Sequence, residues 1–207
     1  MTRLPASLLV ACLTAAPVFG QQPPASAPAQ PRPAAATWHV DSGHSSAGFS
    51  VKHMMVATVR GTLGPISGTV DYDGKDVSSI KADITIDVTR INTGNESRDK
   101  DLRSDGFFDV GKYPTMKFKS RRVQPGSAGQ FRLVGDLTMH GVTKEVTLDV
   151  EGPSPAVKVQ NGGLKVGATA TTKVNRRDFG LNYNSMIEAG AVVGNDITVT
   201  IDIEINK

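Results

Sequence analysis

The chain contains a single cysteine among its 207 residues, and that cysteine, Cys12, lies in the apolar N-terminal stretch. Beyond residue 20 there is therefore no thiol for a disulfide, a thiolate metal site or a cysteine nucleophile. Aromatic residues make up only 5% of the chain. No Gly-x-Ser-x-Gly segment is present to hold a serine nucleophile on a strained turn. These absences exclude the commonest covalent hydrolases and leave stability to an aliphatic core.

Residues 1–20 have the features of a secretory signal peptide. Arg3 supplies the positive start, residues 8–19 are mainly apolar or small, and residues 18–20 are suited to cleavage. The segment is too short to favour a membrane anchor. A second interpretation stays open, in which Leu9-Val10-Ala11-Cys12 is a lipoprotein processing box and Cys12 is acylated. Ordinary cleavage and export is the favoured prediction, with lipoprotein anchoring as the alternative.

Residues 21–36 are rich in Pro, Ala and Gln and carry no large apolar side chain. Such a segment cannot bury enough surface to offset its ordering entropy, so we expect a disordered linker. The formal charge is +3, and removing Arg3 leaves +2 from 22 basic and 20 acidic residues. This balance is too mild to predict a nucleic-acid partner.

Apolar and polar residues alternate along most of the remaining chain. The rows predicted to face a core are Ala82, Ile84, Ile86 and Val88; Phe131, Leu133, Gly135, Leu137 and Met139; Lys144, Val146, Leu148 and Val150; and Ile197, Val199, Ile201, Ile203 and Ile205. A period of two, with one wet face, is typical of antiparallel sheets. Met116 and Phe118 continue the pattern, and weaker strands are predicted at 45–52, 67–72 and 165–174.

The tally of about eight strands predicts an all-β antiparallel barrel, the size that closes around side chains or one small ligand. One short helix is expected after Thr93, which together with Glu96 has the spacing of a capping box. Gly106, Gly111 and Pro114 limit its length. The segment around His140-Gly141 predicts a tight hairpin turn.

The four histidines, His39, His44, His53 and His140, lack the spacing that brings imidazoles to one ion. Structural histidines are therefore favoured, and no metal site and no cofactor are predicted.

Several arginines lie near predicted turns or helix ends, where a guanidinium group can grip a phosphate. They are Arg98, Arg103, Arg176 and Arg177. For each of them, a solvated surface position beside an aspartate is the favoured interpretation.

Nine ordered segments together resemble the YceI-like family of bacterial polyisoprenoid-binding proteins. They are WHVDSGHS at 38–45, FSVKHMMV at 49–56, VRG at 59–61, TGNESRD at 93–99, FFDV and YP at 107–110 and 113–114, FKS at 118–120, GDLTMHGVT at 135–143 and NRRDFG at 175–180. The resemblance covers residues 37–207. One departure is Asp101, where family members often have histidine.

The resemblance implies an all-β, extended antiparallel lipocalin-like β-barrel that is exported to the periplasm. Its elongated apolar lumen would hold a long isoprenoid or similar lipid tail, and the family has no established reaction. From strand parity, the candidate tail contacts are Phe49, Phe118, Phe131, Leu133, Val146 and Leu148. The candidate head-group contacts are His53, Arg60 and Arg98.

The leading hypothesis is thus a non-enzymatic lipid carrier or sequestering protein whose partner is a long-chain lipid. Two alternatives stay open: an enzyme acting on a lipid or quinone-like substrate in the same barrel, and an accessory factor in envelope stress or electron transport. A transient membrane contact and a homodimer are left open.

Overall fold

A computed structural model describes residues 35–127, 129–160, 162–183, 186–187 and 190–207. Its strands and helix are β1 (Ala36–Val40), β2 (Ser46–His53), β3 (Ala57–Thr62), β4 (Ile66–Tyr72), β5 (Lys81–Asp87), α1 (Glu96–Arg103), β6 (Thr115–Pro125), β7 (Gln130–Met139), β8 (Val142–Glu151), β9 (Val157–Lys158), β10 (Leu164–Asn175), β11 (Met186–Ile187), β12 (Gly190–Ala191) and β13 (Val193–Asn206). Short 3-10 turns lie at Val77–Ser79, Val88–Arg90 and Arg176–Phe179.

Eight antiparallel strands close into a barrel in the order β13-β1-β4-β5-β6-β7-β8-β10, and β10 pairs back with β13. The predicted all-β barrel of eight strands with one short helix is confirmed. The eight strands of the barrel are not the same eight that the sequence predicts, because β1 belongs to the closed ring and β2 does not. The hairpin of β2 and β3 is added beside β13, whose 197–202 stretch pairs with β2 while Ile205 and Asn206 pair with β1.

The alternation determines which side chains enter the barrel. Ala82, Ile84 and Ile86 of β5 are buried, as are Phe131, Leu133, Leu137 and Met139 of β7. Burying each large aliphatic or aromatic side chain contributes about 1.5–3 kcal/mol. Because ladder hydrogen bonds satisfy the strand backbones, this wall needs few polar side chains on its inner face.

Two residues depart from the predicted rows. Lys144, assigned to the apolar row of β8, is exposed near the start of the strand, where a lysine reaches water. Val134, assigned to the polar row of β7, is only 1% exposed. It lies where the pairing of β6 with β7 shifts by one residue between Ser120 and Arg122, and such a bulge re-aims side chains.

The predicted capping box at the helix start is wrong. Asn95 is the N-cap, and its side chain accepts a hydrogen bond of 3.0 Å from the Arg98 amide. Thr93 instead donates from its amide and its hydroxyl to the buried carboxylate of Asp99, at 2.8 and 2.5 Å. Asp99 therefore folds the incoming loop back onto the helix, a contact that the local spacing did not indicate.

The tight turn between β7 and β8 is confirmed, because His140 and Gly141 both have positive φ, at 51° and 75°. In the part of the chain that the structure describes, no helix is both long and apolar enough to cross a membrane. The proposed signal peptide (1–20), Cys12 and nearly all of the proposed linker (21–36) lie outside the described residues. Ala36, the last linker residue, already belongs to β1.

Candidate ligand cavity

The barrel encloses an apolar cavity of about 120 Å³ between β4–β8, β10 and β13. Five of the six predicted tail contacts line it: Phe118, Phe131, Leu133, Val146 and Leu148. Isoleucines of β13, among them Ile201 and Ile203, line it as well. The alternation along the strands therefore predicted correctly that these five side chains face one cavity. Their contact with a lipid stays a prediction.

Small side chains keep this part of the lumen open. On β10 the lining residues include Ala168 and Ala170, which leave room that larger residues would fill. Gly135 of β7 also matters, because a Cβ built there would lie 2.6 Å from the ring of Phe118. Glycine in this strand therefore allows Phe118 to lie across β7, a role typical of glycine inside a strand.

The sixth predicted tail contact, Phe49, lines a second apolar cavity of about 70 Å³ beside α1. Its other walls include Val51, Leu102, Phe107 and Phe108. Met116 and Val199 line both cavities. The two spaces are therefore neighbours within one lumen, separated in part by these two side chains.

The three predicted head-group residues lie on different elements. His53 is half-buried at the end of β2 and shares the parity of Phe49 and Val51, which places it on the inner face. Arg60 is exposed and pairs with Ser50, so it lies on the outer face of the hairpin.

Arg98 is already hydrogen-bonded within the protein. Its guanidinium donates to the Thr93 hydroxyl at 2.8 Å and to the Thr93 carbonyl at 3.2 Å. Thr93 also lies against β3, since a Cβ built at Gly61 would be 2.8 Å from its Cγ2. Arg98 therefore fixes the loop beside β3, and its contact with a head group, like those of His53 and Arg60, stays a prediction.

Arg176 is the residue that sequence reasoning misjudged. The surface position favoured for it is wrong, because it is 3% exposed and lines the second cavity. Its guanidinium donates to the carbonyls of Leu181, Gly194 and Val193, the last two at 3.0 and 3.3 Å, and to the Asn195 side chain at 3.4 Å. Burial lowers the pKa of Arg176, with a smaller contribution from Arg177. No feature of its local sequence distinguished it from exposed Arg177.

The first cavity offers little for chemistry. In the described chain, the only lining side chains with a polar atom are Tyr72, Lys117 and Thr172, and the wall holds no carboxylate or imidazole. Burial raises the pKa of Tyr72, so its phenol stays neutral at physiological pH. The wall can therefore hold an apolar group but provides no nucleophile paired with a base.

A charged cluster lies on the barrel exterior. One side-chain atom from each of Asp41, His44 and Glu204, of a type that can ligate a metal ion, lies within 4.8 Å of the other two. The Lys165 ammonium group bonds both carboxylates, that of Asp41 at 3.2 Å. Hydrogen bonds from His44 and then Lys165 lower the pKa of Asp41 to about 2. The cation held between these carboxylates is thus the protein's own lysine.

Comparison with known proteins places these features in a family. The model of the YceI-like domain matches residues 38–205. A UPF0312 protein of Staphylococcus aureus strain N315 is 36% identical over 158 residues, which cover 76% of this chain and 90% of the relative.

Solved structures agree with the family match. A Campylobacter jejuni YceI protein is 31% identical, with a TM-score of 0.65 over 75% of this chain and 89% of that chain. Two further structures share the fold. Burkholderia cenocepacia BcnA is 19% identical, with a TM-score of 0.68 over 80% of this chain and 98% of that chain. A polyisoprenoid binding domain from Saccharophagus degradans is 16% identical, with a TM-score of 0.59 over 81% of this chain and 97% of that chain. The chain belongs to the YceI-like family.

Proposed function

We propose that the protein is a periplasmic lipid-binding protein that holds the tail of a long isoprenoid or related amphiphile in the barrel lumen, for transport, storage or sequestration. The observation that carries the proposal is the apolar cavity enclosed by the barrel strands. Each methylene moved from water into such a lumen contributes about 0.8 kcal/mol. The structural neighbour from Saccharophagus degradans, described as a polyisoprenoid binding domain, supports the ligand class through the shared fold.

The size of the cavity adds a requirement to the proposal. Its volume of about 120 Å³ is below the roughly 300–1,000 Å³ of typical ligand sites. A long tail therefore needs the lumen to expand, and the second cavity of about 70 Å³ beyond Met116 offers the direction. Methionine is unbranched and flexible, so a rotamer change at Met116 is the simplest way to join the two spaces.

The ligand test is native mass spectrometry of protein purified from the periplasm of its own host. We expect a discrete mass increment from a retained lipid, which organic extraction removes and added isoprenoid alcohol restores. A protein that carries no lipid, and that takes up neither isoprenoid alcohol nor diphosphate after extraction, would contradict the proposal.

Localisation has its own test, because export and ligand binding are separate claims. The intact mass of the mature protein should place its N-terminus at or near Gln21, without an acyl group. A diacylglyceryl adduct on Cys12 would replace the soluble periplasmic form with a lipoprotein.

A further inference from the structure

The turn joining β2 to β3 exposes three consecutive apolar residues. Met54, Met55 and Val56 are 39%, 65% and 86% exposed. The other large hydrophobic residues that are exposed in the described chain, Val157 and Tyr183, are single and far apart in the sequence. Isolated exposed hydrophobics are normal on a soluble protein, whereas a contiguous group of them marks an interaction surface.

Folding alone does not favour methionine at these positions. Met54 and Met55 have φ of 51° and 58°, and the turn is closed by a hydrogen bond of 3.0 Å from the Val56 amide to the His53 carbonyl. Turns with two positive φ values usually carry Asn-Gly, because a Cβ is crowded in this region. The comparable turn between β7 and β8 uses glycine at its second position, Gly141. The methionines are therefore held in unfavourable backbone conformations with their side chains in water.

The hairpin that carries this turn is basic. Residues 42–70 contain no aspartate or glutamate. Lys52 and Arg60 are exposed, and both lie on the outer face, since Lys52 pairs with Thr58 and Arg60 with Ser50. An apolar tip flanked by cations matches an anionic bilayer, where side chains enter the headgroup boundary and cations contact lipid phosphates.

We propose that the β2–β3 tip, defined as Met54, Met55 and Val56, docks the protein on the surface of an anionic bilayer, with Lys52 and Arg60 contacting the headgroups. Phe49 and Val51, on the inner face of the same hairpin, line the second cavity. Docking would therefore bring that cavity close to the membrane. This consequence, lipid exchange through the docked end, rests on the proposed function, whereas docking itself does not.

The test is cosedimentation with vesicles of phosphatidylcholine alone or mixed with an equal amount of phosphatidylglycerol. The wild type should bind the mixed vesicles, and added salt should weaken the binding. Met54→Asn combined with Met55→Gly should bind at least about tenfold more weakly, because two apolar side chains are lost. Its melting temperature should match or exceed that of the wild type, since Asn-Gly suits this turn.

Two further variants make the test specific. Val157→Asn removes an exposed apolar residue from β9 and should bind vesicles as the wild type does. Lys52→Gln combined with Arg60→Gln leaves the turn intact and should weaken binding to the mixed vesicles, so the proposal stays testable if the turn variant fails to fold. Failure of the wild type to bind the mixed vesicles, or wild-type binding by the folded turn variant, would overturn the proposal.

Two other outcomes distinguish membrane docking from self-association through the tip and from lipid binding in the lumen. Self-association of the wild type that is lost in the turn variant, without vesicle binding, would assign the tip to a protein contact and overturn docking. Lipid supplied in detergent micelles should fill the turn variant and the wild type equally. Vesicle binding by a wild type that never takes up lipid would leave docking in place and contradict only the proposed function.

Discussion

The two parts of the lumen are built differently. Around the larger cavity, the wall consists of paired strands whose backbone hydrogen bonds are satisfied by neighbouring strands, and its lining is almost wholly apolar. Around the second cavity, the wall includes α1, the loop that follows it, the segment at 176–181 and the start of β13, so that part of it is not a strand ladder. There Asp99, Arg103 and Arg176 bond backbone groups of Thr93, Ile91 and Leu181.

The difference shows where a barrel can keep space for a ligand. Buried backbone amides and carbonyls must be paired. A strand ladder pairs them without side chains, so the inner face can be purely apolar and partly empty. Irregular backbone needs side-chain partners, which fill and fix the region. The larger cavity is thus suited to a tail, and the polar contacts near α1 primarily maintain the fold.

The largest expected effect is at Arg176. Arg176→Met removes the donors for three carbonyls and should lower the free energy of unfolding by about 3–5 kcal/mol, since each buried acceptor left unpaired costs about 1–3 kcal/mol. Urea denaturation measures this loss. The control is Arg177→Met at the exposed neighbouring position, with an expected change within about 0.5 kcal/mol. Equal effects of the two substitutions would show that Arg176 does not hold this backbone.

A smaller loss is expected at Asp99. Asp99→Ala leaves the Thr93 amide and hydroxyl without their acceptor and should cost about 1–3 kcal/mol. Exposed Asp101→Ala is the matched control on the same helix. If the contact only supports the helix region, lipid uptake by the folded Asp99→Ala protein should be unchanged. A selective loss of uptake would extend the ligand site to α1.

The smallest effect should come from the exterior cluster. Because the pKa of Asp41 is lowered in the folded state from 3.8 to about 2, its ionised form stabilises the fold above about pH 4, and that contribution is lost as the pH falls toward 2. The melting temperature of the wild type should therefore fall more steeply over this interval than that of Asp41→Asn. Parallel pH profiles would indicate that the bonds from His44 and Lys165 do not persist in solution.

The sequence predicted the regular wall far better than the irregular part. Strands β5, β7 and β13 alternate strongly and were recognised from that pattern. Strand β3 was missed because only Val59 among its inner positions, Ala57, Val59 and Gly61, is a large apolar residue. A side chain at Gly61 would meet the Asn92 carbonyl and the Phe49 ring, so tertiary crowding removed the apolar residue that would have indicated a strand.

The residues of the candidate site differ in the same way: those on regular strands were predictable from the sequence, and those that contact irregular backbone were not. Parity found five lining residues of the larger cavity, because strand pairing alone determines which way they face. It could not assign Arg60 to the outer face without recognising β3. Nor could it foresee the contacts of Arg98 and Arg176, which depend on how the backbone at residue 93, and at residues 181, 193 and 194, presents its carbonyls. Such contacts have no local periodicity to detect.

The central claim is that the larger cavity is a ligand site, and Val146→Trp tests it most directly. Val146 lines the cavity, whereas Thr147 is exposed on the same strand. We predict that Val146→Trp folds and loses less free energy of unfolding than the roughly 1–3 kcal/mol that overpacking a filled core costs. The variant should no longer bind a fluorescent lipid probe. Thr147→Trp should bind as the wild type does. Lipid binding retained in Val146→Trp would contradict the account.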